Sequence, residues 1–374
     1  MKHILIISSH GPSFIKFRLH LIKKLLSRGY KVSVASPKKN FSHNLQKQLI
    51  QLGVKLNFFN ILRTELNIFN NLKTLFEIYK IIKRINPNVV ISYTAKPVIY
   101  TGIILKIFKQ IRFFPLITGL GFTFTEINSI KKFFLRFLMI QLYRIGLKNS
   151  DKIIFQNKED RSLFYRLKII KDKNLSKVVN GSGIDLNDYP RASLPSKQVF
   201  LMVARLLVDK GVREYVEAAK IVRSFYPGAV FQLAGYLDKN PSAISAKELK
   251  LWIKDGSIEY LGEIDPVNSI LKSCKFYVLP SYREGTPRSV LEALATGRPI
   301  ITTNTAGCRE TVIHKKNGLL VPIKDPVALS KAMMKLLKEK DENLKKMASK
   351  SYMIARNKFE INKVNKSMLH IMNL

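Results

Sequence analysis

Short apolar runs alternate with segments of helical periodicity along most of the chain, a pattern typical of parallel β-α-β units. In the first half, four runs are predicted to form buried strands, at residues 4–8, 31–35, 89–92 and 153–156. The pattern restarts in the second half with five more predicted strands, at residues 199–204, 230–234, 258–261, 276–279 and 299–302. The chain is therefore predicted to fold as two α/β units in tandem.

The segment after the first strand shows helical periodicity most clearly. Its apolar residues recur at intervals of three and four, and a glycine follows where a left-handed cap would end the helix. These residues are Phe14, Phe17, Leu21, Leu25 and Gly29. Two more helices are predicted after Pro326, and the second, at 351–372, carries only scattered apolar residues. That helix needs another surface to cover it.

The length of 374 residues exceeds one ordinary core and suits two domains. Prolines and serines interrupt the periodicity at 185–197, which is the predicted linker region. We therefore expect an N-terminal domain at 1–187 and a second domain at 188–350. The helix at 351–374 is expected to pack back on the N-terminal domain.

The chain is strongly basic: 64 Lys and Arg against 26 Asp and Glu give a formal net charge of +38, which indicates an anionic partner. The first 150 residues carry 25 basic and only three acidic residues. No helix-turn-helix, zinc-finger or RNP-like pattern accompanies this excess, so an anionic lipid surface is favoured over a nucleic acid. The alternative is that the excess reflects a chain rich in Lys throughout.

Residues 131–148 form a basic amphipathic segment. It is predicted either to lie in a membrane interface or to pack as a core helix with a solvated edge. No window of eighteen apolar residues occurs, and the apolar run at 4–7 is too short for a signal peptide. Cys274 and Cys308 have neither metal-ligand nor disulfide spacing. These features favour a cytoplasmic protein.

The most informative segment is 280–299, where a strand, a loop and a helix follow one another. The backbone N–H groups near 286–289 would point out of the helix N-terminus, which suits a diphosphate. Glu284 and Glu292 are eight positions apart, so they are better suited to accept sugar and ribose hydroxyls than to act as an adjacent acid and base. No G-x-G-x-x-G fingerprint or P-loop is present.

Glu284-x7-Glu292, followed by Ala293, Gly297, Pro299 and the segment 306–310, resembles the signature of retaining GT-B glycosyltransferases of family 4. The resemblance implies an α/β fold of the GT-B type, in which two Rossmann-like domains face each other across a cleft. It also implies transfer of a hexose or N-acetylhexosamine from a UDP-sugar with retention at the anomeric carbon.

The same resemblance assigns residue roles. Glu284 would orient the donor sugar, while Arg205 and Lys210 would stabilise the departing diphosphate. The other donor-binding candidates are Gly11, Leu261, Gly262, Gly285, Thr286, Arg288, Ser289, Val290 and Glu292, the last of these for the ribose. Acceptor-side candidates are His10, Lys96, Gly119 and Gly121. His10 could equally be structural, and the histidine that many family members carry near Ala95 is absent here.

The expected acceptor is a polyprenyl-diphosphate-linked glycan in surface polysaccharide or glycoprotein glycan assembly. The protein is then expected to bind peripherally to the inner face of the cell membrane. No D-x-D triplet occurs, so neither a metal nor another cofactor is expected, and the UDP-sugar is a substrate. Two alternatives stay open: a GT-B-fold UDP-sugar epimerase, and a non-catalytic polyanion- or lipid-binding protein.

Overall fold

The protein is described by a computed structural model that covers residues 2–39, 41–61, 68–124, 129–238, 240 and 242–374. It divides into two compact units, 1–182 with 362–374, and 183–361. The predicted boundaries were 187/188 and 350/351. The structural boundaries differ because Ile184 pairs with the segment before the last helix: its N–H donates to the Phe359 carbonyl at 2.8 Å, and Ile361 N–H donates to its carbonyl at 3.0 Å.

The first unit contains seven strands and seven helices within the described residues. The strands are β1 (His3–Ser8), β2 (Lys31–Ser36), β3 (Lys55–Phe58), β4 (Val89–Tyr93), β5 (Arg112–Ile117), β6 (Ile153–Phe155) and β7 (Ser176–Val178). Six of the helices are α1 (Ser13–Ser27), α2 (His43–Gln51), α3 (Ile68–Ile85), α4 (Ala95–Ile104), α5 (Ile130–Leu147) and α6 (Lys158–Arg166). The seventh is the last helix of the chain.

The seven strands form one parallel sheet in the order β3-β2-β1-β4-β5-β6-β7. Successive strand residues point to opposite faces, so Leu5 and Ile7 belong to one apolar cluster while Ile4 and Ile6 belong to the other. Helices α3 to α6 cover the first of these faces, and α1 and α2 cover the second. Both faces of the sheet are therefore buried, as parallel sheets require.

The second unit is built the same way. Its strands are β8 (Val199–Val203), β9 (Val230–Ala234), β10 (Glu259–Gly262), β11 (Phe276–Leu279), β12 (Ile300–Thr303) and β13 (Gly318–Val321). They form a parallel sheet in the order β10-β9-β8-β11-β12-β13. Its helices are α7 (Val212–Phe225), α8 (Ala246–Lys254), α9 (Asn268–Ser273), α10 (Arg288–Ala295), α11 (Pro326–Leu337) and α12 (Asp341–Ile354).

The last helix, α13 (Ile361–Met372), belongs to the first unit from residue 362 onward. Its Met368, Leu369 and Met372 are buried in the cluster that holds Ile4 and Ile6. Arg112 donates to the Met372 carbonyl at 2.7 Å, which fixes the end of the helix to β5. A third helix, α12, and a π-helical turn at Ala355–Phe359 precede it, so the region after Pro326 holds three helices rather than the predicted two.

The predicted α/β class is confirmed, and all nine predicted strands are present with ends shifted by at most one residue. Four strands escaped prediction. Strands β3, β7 and β13 are short and lie at sheet edges. Strand β5 is central but contains Pro115, a residue that argues against a central strand in a sequence.

Helix α1 differs from its predicted apolar face at one position. Phe14, Leu21 and Leu25 are buried as predicted, but Phe17 is only half-buried and Arg18 is buried beside them. The Arg18 guanidinium lies 5.3 Å from the centre of the Tyr93 ring, where a cation–π contact compensates part of its desolvation. Gly29 ends the helix with a φ of 79°, as predicted.

Helices α4 and α5 cross at two glycines. A Cβ added to Gly102 would lie 1.6 Å from the Gly146 carbonyl oxygen, and one added to Gly146 would lie 2.9 Å from Ile99 Cα. Only a residue without a side chain permits this approach. None of the described helices combines the length and apolarity needed to span a membrane.

We predict that Gly102→Ala destabilises the first unit, because its methyl group would overlap backbone atoms of α5 that cannot move independently. The expected cost is about 1–3 kcal/mol, or a midpoint of thermal unfolding lower by about 2–10 °C. The matched control is Gly228→Ala, since that glycine has open space around it and no left-handed φ. Equal midpoints for both variants in a thermal melt would contradict the prediction.

Candidate active site

The second sheet reverses its strand order between β8 and β11, which are neighbours in the sheet. At such a point the loops at the carboxyl ends of the two strands diverge and leave a crevice that suits a ligand. The loop after β8 contains Arg205 and Lys210, and the loop after β11 contains Glu284. The three residues assigned to catalysis therefore lie on the two loops of one topological switch point.

Backbone contacts hold these two loops together. Tyr282 N–H donates to the Asp209 carbonyl at 2.9 Å, and Ser281 Oγ donates to the same oxygen at 3.1 Å. Gly211 ends the first loop with a φ of 75°, and a Cβ there would lie 2.2 Å from the Pro280 carbonyl oxygen. The close packing fixes both loops against each other before any ligand is bound.

Lys210 and Glu284 form an ion pair across the loops. Lys210 Nζ lies 2.5 Å from Glu284 Oε1, and the two side chains are only 17% and 15% exposed. Partial exclusion of water strengthens such a pair relative to a surface one. An anion bound at this crevice would meet a lysine that is already positioned by Glu284.

Arg205 lies at the carboxyl end of β8 and pairs with a residue that the sequence did not single out. Its Nη1 donates to Asp238 Oδ2 at 2.9 Å, while 38% of the arginine side chain stays exposed. Asp238 follows β9, the neighbour of β8 in the sheet. The sheet order, which the sequence does not display, brings this carboxylate to the arginine.

A glycine after β12 supports the Glu284 loop from the other side. Gly307 has a φ of 77°, and a Cβ there would lie 2.4 Å from the Glu284 carbonyl oxygen and 2.5 Å from that of Gly285. Glu284 N–H donates to the Ala306 carbonyl at 3.2 Å. Both the conformation and the contact require glycine at this position.

Glu292 lies on α10, and its hydrogen-bond partners are different residues from those of the Lys210–Glu284 ion pair. Its Oε1 accepts from Tyr189 Oη at 3.1 Å and from Arg288 Nε at 3.0 Å, and its side chain is 12% exposed. Arg288 also donates through Nη1 to the Gly183 carbonyl at 2.5 Å. Burial and the neighbouring Glu292 carboxylate raise the pKa of Tyr189 above its usual value.

The segment before α10 carries the predicted diphosphate-binding backbone. Thr286 Oγ1 donates to the Gly285 carbonyl at 2.9 Å, and the N-cap residue of the helix is Pro287, whose side chain makes no capping hydrogen bond. The side chain of Ser289 hydrogen bonds with Tyr277 below it. Val290 is buried, and its N–H donates to the Pro287 carbonyl at 3.1 Å, so its contribution is to helix packing.

Leu261 and Gly262 lie at the carboxyl end of β10, next to the strand that carries Asp238. The register of β10 shifts between Tyr260 and Gly262, which places Leu261 in a bulge. Gly262 has a φ of 74°, and its carbonyl accepts from Gly235 N–H at 2.8 Å. The two residues thus lie at the same sheet edge as Arg205, two strands further from the switch point.

The first sheet has its own switch point between β1 and β4. His10 and Gly11 lie in the loop after β1, where His10 N–H donates to Ser8 Oγ at 3.2 Å. A Cβ on Gly11 would lie 2.4 Å from the Phe41 ring, so this ring packs directly on the glycine backbone. Ser9 Oγ lies 2.9 Å from Thr94 Oγ1 and joins this loop to the one after β4.

The remaining acceptor-side candidates follow β4 and β5. Lys96 lies in the first turn of α4 and donates to Asn71 Oδ1 at 3.0 Å. Gly119 and Gly121 follow β5 with φ values of 133° and 62°, which favour glycine. All four candidates, His10 included, therefore lie at the carboxyl edge of the first sheet.

Sequence reasoning missed a tyrosine that braces the Glu284 loop. Tyr282 Oη donates to Glu214 Oε1 on α7 at 2.5 Å, and burial raises the pKa of this tyrosine. Tyr189 was also missed, because it lies in the predicted linker. Its contact with Glu292 joins positions 103 residues apart, which no local pattern reports.

Two sequence models of protein families match the chain. Residues 3–157 match the family described as glycosyl transferase 4-like, and residues 197–339 match glycosyl transferases group 1. Each match falls within one of the two structural units. Together they cover every strand of the two sheets except β7, and they include the loops that carry Arg205, Lys210 and Glu284.

Relatives agree with these matches over most of the chain. The N,N'-diacetylbacillosaminyl-diphospho-undecaprenol alpha-1,3-N-acetylgalactosaminyltransferase of Campylobacter jejuni is 31% identical over 354 residues, covering 91% of this chain and 90% of that protein. The UDP-Gal:alpha-D-GlcNAc-diphosphoundecaprenol alpha-1,3-galactosyltransferase of Escherichia coli is 25% identical over 281 residues, covering 71% of this chain and 70% of that protein.

Solved structures share the fold at lower identity. A glycosyltransferase from Rickettsia africae superposes with a TM-score of 0.76 at 19% identity, covering 99% of this chain and 97% of that one. Anabaena HepE in complex with UDP-glucose superposes with a TM-score of 0.76 at 16% identity, covering 100% of each chain. This chain belongs to the glycosyltransferases of the 4-like and group 1 families and has the GT-B fold.

Proposed function

We propose that this glycosyltransferase transfers a hexose or N-acetylhexosamine from a UDP-sugar to a polyprenyl-diphosphate-linked glycan, with retention at the anomeric carbon. The observation that carries the donor half is the pairing of Lys210 with Glu284 beside Arg205 at one switch point. The names of the Campylobacter and Escherichia relatives support a lipid-diphosphate acceptor, and the UDP-glucose complex of Anabaena HepE supports a UDP-sugar donor.

In this proposal the diphosphate binds at the crevice between the β8 and β11 loops. Lys210 and Arg205 supply two cations to a leaving group that gains negative charge as it departs. Glu284 accepts hydroxyls of the donor sugar, and its pairing with Lys210 positions both groups beforehand. Glu292, held by Tyr189 and Arg288, accepts the ribose hydroxyls.

The transfer step balances without a protein base. The bond between the anomeric carbon and the UDP oxygen breaks, and the acceptor oxygen forms its bond to the same face of that carbon. The acceptor proton passes to an oxygen of the departing diphosphate. The two cations offset the charge on UDP throughout, so we propose that the reaction uses no metal and no cofactor.

The acceptor is proposed to enter at the carboxyl edge of the first sheet, where His10, Lys96, Gly119 and Gly121 lie. Lys96 is the cation of this group, and its Nζ donates to Asn71 Oδ1 at 3.0 Å. We further propose that the enzyme works at the inner face of the cell membrane, where polyprenyl-diphosphate glycans are assembled. It would then contribute to surface polysaccharide or glycoprotein glycan assembly.

The first test is UDP release from purified protein in detergent, with a panel of UDP-sugars and polyprenyl-diphosphate saccharides. One donor is expected to release UDP only when the acceptor is present, giving a product whose anomeric proton coupling matches that of the donor. Glu284→Ala is expected to abolish release while the protein still binds UDP. Conversion of the UDP-sugar without acceptor, or an inverted product, would contradict the proposal.

Lys210→Ala is expected to lower kcat about 100-fold or more, corresponding to about 3 kcal/mol of lost transition-state stabilisation. The matched control is Arg213→Ala on α7, an exposed cation paired with Glu248 at 2.8 Å and outside the crevice. That variant should keep wild-type turnover. The measurement is the steady-state kcat of both variants. Equal kcat values would show that Lys210 has no role in the mechanism.

Excess EDTA is expected to leave turnover unchanged, because Arg205 and Lys210 supply the positive charge that a bound metal would supply. The measurement is the initial rate of UDP release before and after chelation, with a further sample returned to Mg²⁺. A rate that EDTA abolishes and Mg²⁺ restores would show that the two cations are insufficient and would refute the metal-free proposal.

A further inference from the structure

Helices α3, α4 and α5 lie side by side on one face of the first sheet. Helix α4 contacts both neighbours and is itself largely buried. Its crossing with α5 is fixed at Gly102 and Gly146, and the Tyr79 ring of α3 lies 5.7 Å from the ring of Phe108, just after α4. The outer sides of α3 and α5 therefore flank a buried helix.

Helix α5 packs its apolar residues on the core at its carboxyl end, and the buried residue of its first turn is Lys132. Tyr143, Gly146 and Leu147 are buried there, whereas most large apolar residues of its first two turns face outward. The first half of α3 repeats this arrangement. We name the exposed residues of both helices the aromatic face: Phe69 and Phe76 of α3, and Ile130, Phe133, Phe134 and Phe137 of α5, which are 54–81% exposed.

Positive charge surrounds the aromatic face. Helix α5 has no acidic residue; Lys131 and Arg136 lie close to its exposed aromatic residues in the sequence, while Lys132 is buried and Arg144 donates to the Leu167 carbonyl. Among the described residues of α3 to α5 the single carboxylate is Glu77, and it accepts from Asn60 N–H at 2.5 Å and from Asn60 Nδ2 at 3.1 Å. Lys80 Nζ lies 4.4 Å from the centre of the Phe76 ring, so charge and apolar surface are interleaved. Such a surface complements anionic headgroups above acyl chains.

The aromatic face also lies at a defined edge of the first unit. In a parallel β-α-β unit each helix begins at the carboxyl edge of the sheet. The first turns of α3 and α5 are therefore at the edge that holds His10, Lys96, Gly119 and Gly121. A bilayer that contacted these turns would present a lipid-linked diphosphate next to the acceptor-side residues.

We propose that the aromatic face inserts into an anionic bilayer and sets the first unit on the membrane with its acceptor edge toward the headgroups. This inference rests on the proposed lipid-linked acceptor and names the surface that meets the lipid. A second copy of the chain fits the same surface poorly, because a symmetric contact would bring the cations Lys131 and Arg136 of the two copies together with no acidic residue on α5 to offset them.

The test is flotation of the full-length protein with vesicles of phosphatidylethanolamine and phosphatidylglycerol, compared with vesicles of phosphatidylcholine. Wild-type protein is expected to float with the anionic vesicles, less so at high salt. Combined Phe133→Ser, Phe134→Ser and Phe137→Ser should lower the bound-to-free ratio about tenfold or more. The matched control replaces Phe225, Leu251 and Ile253 of the second unit, which are 45–69% exposed, and should float like wild type.

A second variant tests charge without removing apolar surface. Lys131→Glu with Lys80→Glu reverses two exposed cations at the aromatic face and should reduce flotation with phosphatidylglycerol vesicles. Circular dichroism and thermal melts show whether each variant is folded. A folded triple-serine variant that floats like wild type would overturn the proposal. So would a wild-type protein that does not bind vesicles and whose mass in solution is twice that of the variant, because the aromatic face would then join two copies of the chain.

These experiments contain no sugar nucleotide, so they can fail while the proposed transfer succeeds, and the reverse. A kinetic arm connects the two. With a short-chain, water-soluble acceptor the triple-serine variant should keep the wild-type kcat, whereas with a full-length lipid-linked acceptor in vesicles its rate should fall with its vesicle binding. Equal loss with both acceptors would show that the aromatic face supports the fold rather than the membrane contact.

Discussion

The parallel arrangement of every strand is the constraint on which the site depends. Because all strands of a sheet run in one direction, their carboxyl ends share one edge, and the functional loops collect there. The reversal of strand order between β8 and β11 then opens a crevice between two particular loops. Lys210 and Glu284, 74 residues apart in the chain, meet across that crevice at 2.5 Å.

Glycines make the crevice possible at atomic scale. Gly211 brings the end of one loop against the Pro280 carbonyl, and Gly307 brings a third segment against the Glu284 carbonyl. A side chain at either position would push the loops apart by a large fraction of an atomic diameter. The backbone around the ion pair is closely packed, and the hydrogen bond from Tyr282 to Glu214 joins the Glu284 loop to α7.

The same topology serves a different purpose in the first unit. Its carboxyl edge collects His10, Lys96, Gly119 and Gly121, and the helices that begin at that edge present aromatic residues and cations outward. A large exposed apolar patch on a protein ordinarily marks an interaction site or a liability to aggregate. Here the Gly102 and Gly146 crossing holds α5 in place through its other end, so its first turns need not contribute to the core.

Local pattern in the sequence determined the α/β class, the restart of a second unit near residue 199, and the loop and helix that carry Glu284 and Glu292. Such features depend on residues within a few positions of each other. The partners of the site residues were decided only by tertiary structure. Asp238 reaches Arg205 because β9 neighbours β8, and Tyr189 reaches Glu292 because the predicted linker packs on α10.

Two of the differences between prediction and structure have the same origin. Strand β5 was not predicted because it contains Pro115, and a proline weakens the strand pattern in a sequence. In the structure β5 nevertheless pairs with β4 on one side and β6 on the other. Helical periodicity predicted that Phe17 is buried, whereas the structure buries Arg18, because its guanidinium makes a cation–π contact with the Tyr93 ring on β4. Periodicity reports which face of a segment is buried, whereas strand order and side-chain pairing across elements depend on contacts that only the folded chain creates.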